Sequence, residues 1–365
     1  MRNLTVAQIQ LVEIIKAITF NAGIIIMDEP TSAITSAEAD ILFKQIDSLK
    51  KAGTAIIYIS HKMDEIFRLA DTITVLRDGK LICSDAASAF DENSLITAMV
   101  GREISDIYPK EACEKRNIAL SVRNLTVGKK VKNVGFDLYQ GEVLGIAGLV
   151  GAGRSETVEA LFGMRKRSSG EIRVGSQIAE IRSPADALSH KIALITEDRK
   201  LTGLNLKFSV KENISIVSLK KLFKKGIISS RLERKTALDT IKKLKIKTHS
   251  ENMLTSSLSG GNQQKIVVGK WLLNDPDIII LDEPTRGIDV GAKHDMYVII
   301  SELAKEGKAV LVISSELPEI MGISDRIIVM NGGCITGELK RPEFSQEKIM
   351  YLAAKKGNVQ GSSNE

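Results

Sequence analysis

Residues 24–31 read IIIMDEPT and residues 278–285 read IIILDEPT. The two stretches lie 254 positions apart, and the offset holds without a gap well beyond them: Leu4 falls on Leu258, Glu29 on Glu283, Ser60 on Ser314 and Asp71 on Asp325. A repeat of this kind fixes the organisation of a chain before any local reading. Four apolar residues followed by two acids describe a buried strand that ends on paired carboxylates. Strands of this type alternate with helical patterns, which predicts an α/β layered fold with a mainly parallel core sheet.

Working outward from the first copy, residues 4–20 and 36–52 read as helices, 54–60 (TAIIYIS) as a buried strand and 62–70 as a further helix. TITVLRDGKLI at 72–82 reads as a hairpin turning at Asp78-Gly79, a strong turn dipeptide. A charged, irregular stretch at 101–117 reads as a linker. The second unit, 118–352, opens with the strands ALSVRNLTV and VKNVGFDL, and a polar tail, 353–365, closes the chain. Residues 207–257, with LKKLFKKG and IKKLKIK, read as a basic helical insertion with its lysines on a solvated face.

EVLGIAG at 142–148 is an apolar strand that runs into Gly148-Leu149-Val150-Gly151-Ala152-Gly153-Arg154-Ser155, followed by the helical TVEALFG. This is G-x-x-x-x-G-K-[ST] with arginine at the lysine position. Glycines let backbone N–H groups cradle phosphate oxygens, and the following helix aims its positive end at the same charge. Ser155 would supply a hydroxyl to Mg²⁺. Arginine keeps the charge but is larger, planar and differently placed, so the loop is expected to bind nucleotide and to position it poorly for hydrolysis. The same offset would put a twin loop at 148 − 254 = −106, outside this sequence. One and a half copies of a nucleotide-binding unit are therefore expected, one partial (1–100) and one complete.

Composition narrows the function classes. The chain has 51 basic and 45 acidic residues, a net charge of +6, 43% apolar residues and 4% aromatics. The charge excess is small and stacking side chains are scarce, which argues against nucleic acid. Three distant cysteines, Cys83, Cys113 and Cys334, give no metal or disulfide spacing and read as reduced thiols. No apolar run reaches the ~18 residues of a membrane span, and MRNLTVAQIQ lacks a signal-peptide core. Membrane association would come only through a partner.

Leu258-Ser259-Gly260-Gly261-Asn262-Gln263-Gln264 precedes a helix, and its small residues suit close approach to a γ-phosphate. With this motif in place the chain resembles the ATP-binding subunits of ABC transporters, whose LSGGQ signature matches 258–262 apart from Asn262. GLVGAGRSE (148–156), EDRK (197–200) and LSGGNQQK (258–265) are similar to the second half of the duplicated ATPases of bacterial monosaccharide importers. LTVAQIQLVEIIKA (4–17) resembles the signature of the first half. The resemblance covers the chain to about residue 352.

The resemblance implies ABC-type P-loop NTPase domains, each with a helical subdomain, using ATP and Mg²⁺. It implies a head-to-tail arrangement in which each ATP lies between the phosphate loop of one half and the signature of the other. One site would combine Asp28, Glu29 and the γ-phosphate-sensing His61 with Ser259, Gly260 and Gly261, and its phosphate loop is not in this sequence. The other would combine Gly148, Gly151, Ala152, Gly153, Arg154, Ser155 and Glu156 with Asp282, Glu283 and the signature at Thr5-Val6-Ala7. Asp28, Asp282, Ser155 and Glu197 would serve the metal, and Glu29 and Glu283 would act as general base or orient water. The second site departs from the pattern at Arg154, at Glu197 (usually Gln), at Ser315 (aligned with His61) and at Thr5-Val6-Ala7, so slow or absent hydrolysis is expected.

The implied partners are transmembrane permease subunits, met by 207–257 and the loop at Glu197, and through them an extracellular sugar-binding protein. The implied location is the cytoplasmic face of the membrane. An N-terminally truncated importer ATPase is the leading expectation. A non-catalytic nucleotide-binding regulatory module is the alternative, and an ABC ATPase acting on nucleic acid or ribosomes is less favoured. Residues 1–100 are expected to be less stable than 118–350.

Overall fold

The computed structural model describes residues 22–31, 36–60, 62–77, 79–100, 108–110, 116–219, 223–224 and 227–355, with positions 9, 12, 13, 15, 16, 19, 20 and 34 besides. The chain divides into two compact units, Met1–Asp106 and Ile107–Glu365. His61, Thr5, Val6 and Ala7 lie outside the described residues, as do Asp78 and most of 101–117.

In the first unit β1 (Ile24–Asp28) pairs in parallel with β2 (Ala55–Ile59), with Ile24 opposite Ala55 and Asp28 opposite Ile59. Ile25 and Met27 point to one face, where Leu42, Phe43 and Ile46 of the helix Ser36–Lys51 cover them. A hairpin of β3 (Thr72–Arg77) and β4 (Lys80–Ala86) follows, packed with Leu95 of the helix Glu92–Val100.

The second unit has two sheets. β5 (Ile118–Val127), β6 (Val131–Tyr139), β8 (Ser169–Val174) and β9 (Gln177–Ile178) form an antiparallel sheet in the order β6-β5-β8-β9. β7 (Val143–Gly148), β10 (Ile192–Ile195), β13 (Ile278–Asp282), β14 (Ala309–Ile313), β15 (Arg326–Asn331) and β16 (Cys334–Lys340) form the core sheet, ordered β10-β13-β14-β7-β15-β16. All its neighbours are parallel except β15 and β16. Burial on both faces explains why these strands are continuous apolar runs. Ile278 and Ile280 meet Leu120, Phe136, Val158 and Leu161 on one side. Ile279 and Leu281 meet Ile214, Ile266, Met296 and Ile300 on the other.

The 254-residue offset survives in three dimensions. β13 pairs with β14 in the register Ile278–Ala309 to Asp282–Ile313, the β1–β2 register residue for residue. The surroundings differ. Ile24, Ile26, Ile57 and Ile59 are 64%, 66%, 52% and 47% exposed, whereas their counterparts Ile278, Ile280, Leu311 and Ile313 are at most 1% exposed. The second unit seals that face with the antiparallel sheet and with the helix Arg154–Leu161.

The insertion at 207–257 is helical at Val210–Ser215 and Ser230–Lys243. The helical reading of LKKLFKKG is corrected at 223–228, where β11 (Phe223–Lys224) and β12 (Ile227–Ile228) form a short antiparallel pair. The sequence between them holds a glycine, a residue type that disfavours a continued helix. Lys235, Lys242, Lys243 and Lys247 are exposed. No described helix is long and apolar enough to cross a membrane.

Candidate functional site

The carboxyl ends of β13, β14 and β7 are neighbours, and open parallel sheets place ligands at such ends. β7 ends at Gly148, and the loop to the helix Arg154–Leu161 turns through Gly151 (φ 82°) and Gly153 (φ 96°). At Gly153 a Cβ would lie 2.7 Å from the Lys130 carbonyl oxygen, so only glycine fits both the dihedral and the space. Ala152 is buried, its N–H donating to the Leu149 carbonyl (3.0 Å) and its carbonyl accepting from Gly333 N–H (3.0 Å). The loop is thus bonded to the β15–β16 turn and lies close against the β5–β6 turn, and the helix N-terminus with Arg154, Ser155 and Glu156 faces the strand ends. Glu156 lies 3.9 Å from Lys130 Nζ, a long ion pair.

Asp282 ends β13 and is 5% exposed. Burial pushes its carboxyl up to about 6; Glu283 adds to the rise, while the hydrogen bond from Ser155 and the charge of Arg154 oppose it. Its Oδ1 is buried without a hydrogen-bond donor among the described residues. A buried acid oxygen left unsatisfied beside a serine hydroxyl suits a Mg²⁺ ion, because the cation would repay the desolvation that raises this acid. The residues present therefore fit the metal.

Glu283 follows at φ 48°, a left-handed conformation uncommon for a residue with a side chain, and Glu29 repeats it at 47°. In both copies the strained N–H donates to the end of the neighbouring strand: Glu283 to the Ile313 carbonyl (3.0 Å) and Glu29 to that of Ile59 (2.9 Å). Strain stored twice at matched carboxylates marks a functional position. Asp28 ends β1 and is exposed.

The side chain of Glu283 is held at both oxygens. Oε2 accepts from Ser315 N–H (3.1 Å) and Ser315 Oγ (3.0 Å). Oε1 lies 3.7 Å from Arg154 Nη2, and Arg154 Nη1 donates to the Ser314 carbonyl (3.0 Å). The arginine at the lysine position thus reaches across the strand ends to the segment after β14, and a serine at the switch position clamps the carboxylate.

Beneath this surface lies a buried acid that sequence reading passed over. Glu319 is 1% exposed and accepts from Thr285 Oγ1 (2.8 Å) and Ser314 Oγ (2.8 Å). Burial pushes it up to about 7, and Glu316 adds to the rise. Its counterpart at the 254 offset, Glu65, accepts from Thr31 Oγ1 (2.6 Å) and Tyr58 OH (2.7 Å) and pairs with Lys62 (3.1 Å). Burial works against Glu65 too, but these donors and Lys62 outweigh it and lower its pKa. The identities Thr31/Thr285 and Glu65/Glu319 were available from the repeat as the signal for this framework.

The signature segment heads the helix Gly260–Leu272, with Ser259 at its N-cap and Gly261 buried. Asn262 donates to Ser259 Oγ (2.9 Å) and accepts from Lys247 N–H (2.7 Å), fixing the loop from behind. Glu197 ion-pairs with Arg286. Among the described residues no three carboxylate, imidazole or thiol groups converge as metal ligands.

Comparison with known proteins follows this geometry. Residues 131–286 match the family described as ABC transporter. The chain is 48% identical over 355 residues to a galactose/methyl galactoside import ATP-binding protein of Photobacterium profundum, covering 97% of this chain and 71% of that protein. It is 47% identical over 354 residues to a ribose import ATP-binding protein of Clostridium tetani, covering 96% and 70%. Among solved structures, an ATP-binding cassette of an ABC transporter superposes with a TM-score of 0.57 at 23% identity, over 66% of this chain and 100% of that one. A dimeric cassette in a post-hydrolysis state with ADP and Pi gives 0.53 at 24%, over 62% and 100%. Phosphate loop, paired acids and signature helix thus stand on a cassette fold shared with these structures, and the sequence relatives place the chain in the family of ABC transporter ATP-binding proteins.

Proposed function

We propose that this chain is the nucleotide-binding subunit of a monosaccharide importer of the ribose or galactose class, that it binds Mg²⁺ and ATP at 148–155, and that it turns ATP over slowly by itself. The site residues carry these roles. N–H groups of 151–155 and the helix N-terminus hold phosphate oxygens. Ser155 and Asp282 would hold the cation, which would supply charge neutralisation to the nucleotide's phosphates. Glu283 is the group suited to orient an attacking water.

The observation that carries the reading of slow turnover is the double engagement of Glu283. With Oε2 accepting two bonds from Ser315 and Oε1 facing Arg154, this carboxylate is already engaged by other donors. The substrate class and the partners rest on the relatives: membrane permease subunits and a sugar-binding receptor would couple to the chain at the cytoplasmic face. The test is reconstitution of the full chain with the membrane subunits and receptor of a ribose or galactose importer in liposomes. Sugar-dependent uptake or sugar-stimulated ATP hydrolysis is expected. Hydrolysis indifferent to the sugar and receptor would overturn the assignment.

A further inference from the structure

Arg199, in the EDRK stretch 197–200, ties the turn after β13 to the signature segment. Arg199 Nη1 donates to the Arg286 carbonyl (2.8 Å) and Nη2 to the Gly287 carbonyl (2.9 Å). Its Nε lies 3.5 Å from Gln263 Oε1, and Gln263 Nε2 in turn donates to the carbonyls of Thr255 (3.1 Å) and Leu258 (3.1 Å). The guanidinium also sits over the first residue of the signature helix: a Cβ on Gly260 would lie 2.8 Å from Arg199 Nη2 and 3.1 Å from the Gly287 carbonyl oxygen. Half-buried, Arg199 is desolvated, which lowers its pKa, and Asp198 beside it partly offsets this. Asp198 caps the turn Arg199–Gly203 through the N–H groups of Lys200 and Leu201 (2.9 Å each). Glu197 pairs with Arg286 from the same loop.

These contacts form one continuous line. Arg154 of the phosphate loop faces Glu283, and the Arg286 N–H donates to the Glu283 carbonyl (3.2 Å), closing the turn 283–286. Arg199 grips the carbonyls that follow that turn and, through Gln263, the loop leading into the signature. A planar fork that meets two carbonyls at once transmits orientation in a way a lysine ammonium does not.

We infer that Arg199 is a positioning residue that couples nucleotide occupancy of the phosphate loop to the pose of the signature segment 258–263. The inference rests on nucleotide binding at 148–155. A nucleotide that draws on Arg154 shifts Glu283 and the turn after it, and Arg199 carries that shift to Gly260 and Gln263. Coupling of this kind is reciprocal, so a change at the signature also alters nucleotide affinity. Spatial continuity is the warrant here, and the coupling itself is what the experiment measures.

Hydrogen exchange on the full chain with and without saturating Mg·ATP tests it. In the wild type, protection should rise at 148–156 and also at 258–264. In Arg199→Gln the rise at 148–156 should persist at saturating Mg·ATP, while the change at 258–264 is lost. Arg199→Lys, which keeps the charge and loses the fork, should lose it as well; should Arg199→Gln unfold the chain, this variant carries the test alone. A wild-type response at 258–264 in a folded variant would overturn the coupling, as would a wild type protected at 148–156 and unchanged at 258–264. A wild type without protection at 148–156 would refute nucleotide binding itself, and the coupling with it.

Discussion

Replacing Asp282 by Asn should stabilise the chain in the absence of nucleotide, although it removes a residue suited to the metal. The carboxyl is raised from 3.8 to about 6, burial being the largest cause. Each tenfold change in a protonation equilibrium is worth about 1.4 kcal/mol, so keeping this acid ionised in the fold at neutral pH costs about 3 kcal/mol. Asparagine keeps the shape and a partner for Ser155 and carries no charge; an amide group short of partners returns about 1 kcal/mol of that gain. The expected net stabilisation is about 2 kcal/mol at pH 7.5, read from urea unfolding of the second unit. The sign of its pH dependence follows from the raised folded pKa. The penalty is full above pH 6, shrinks between 6 and 4, and is absent below 3.8, where the acid is protonated folded or unfolded. The advantage of Asp282→Asn should therefore disappear toward pH 4. Saturating Mg·ATP should reverse the order at pH 7.5, because the ligand stabilises only the wild type appreciably. A variant less stable than wild type without ligand, or an advantage independent of pH, would refute the argument that Asp282 is held in wait for a cation.

Three further outcomes follow from the same geometry. Gly153→Ala forces a side chain into φ 96° and against the Lys130 carbonyl, and should cost about 2 kcal/mol of stability together with nucleotide binding. The double variant Arg154→Lys, Ser315→His should remove the guanidinium facing Oε1 and the hydroxyl bonded to Oε2, leaving Glu283 with the backbone N–H of residue 315 alone, and raise turnover at least about tenfold, measured by phosphate release; unchanged turnover would show that these two side chains are not what limits the reaction. Amides of β1 and β2 should exchange faster than those of β13 and β14, since four isoleucines stay half exposed in the first unit while their counterparts are sealed. Equal protection would show that the exposed face costs the first unit nothing.

The sequence made the strands and the repeat readable because both are local or periodic properties. Apolar runs ending on Asp-Glu become β1 and β13, and the fixed offset of 254 becomes a fixed register. The turn chemistry of Gly148–Ser155 was equally plain, since glycine spacing reports backbone conformation directly. What the pattern did not carry was the destination of long side chains. Nothing local to Arg154 points to the Ser314 carbonyl and Glu283, which it meets from more than 120 residues away. Arg199 was quoted only as part of a motif, because its two carbonyl partners are supplied by a turn 87 and 88 residues later. Glu319 looked like one more acid in a helix, and only packing shows it buried under Thr285 and Ser314. The pair at 223–228 is not legible for a different reason: a lysine-rich run favours helix by composition, whereas a two-residue antiparallel pair leaves no periodic signal.

The central claim is that this chain holds ATP at 148–155 and turns it over slowly because Glu283 is engaged by Ser315 and Arg154. Equilibrium binding of Mg·ATP and single-turnover hydrolysis, measured on the same purified full chain, test it most directly. Saturable binding that weakens in Ser155→Ala, with turnover well below the ~1 per second at the foot of the ordinary enzyme range, is the predicted result. Rapid Mg²⁺-dependent hydrolysis that is lost in Glu283→Gln would contradict it, by showing Glu283 at work in spite of Arg154 and Ser315.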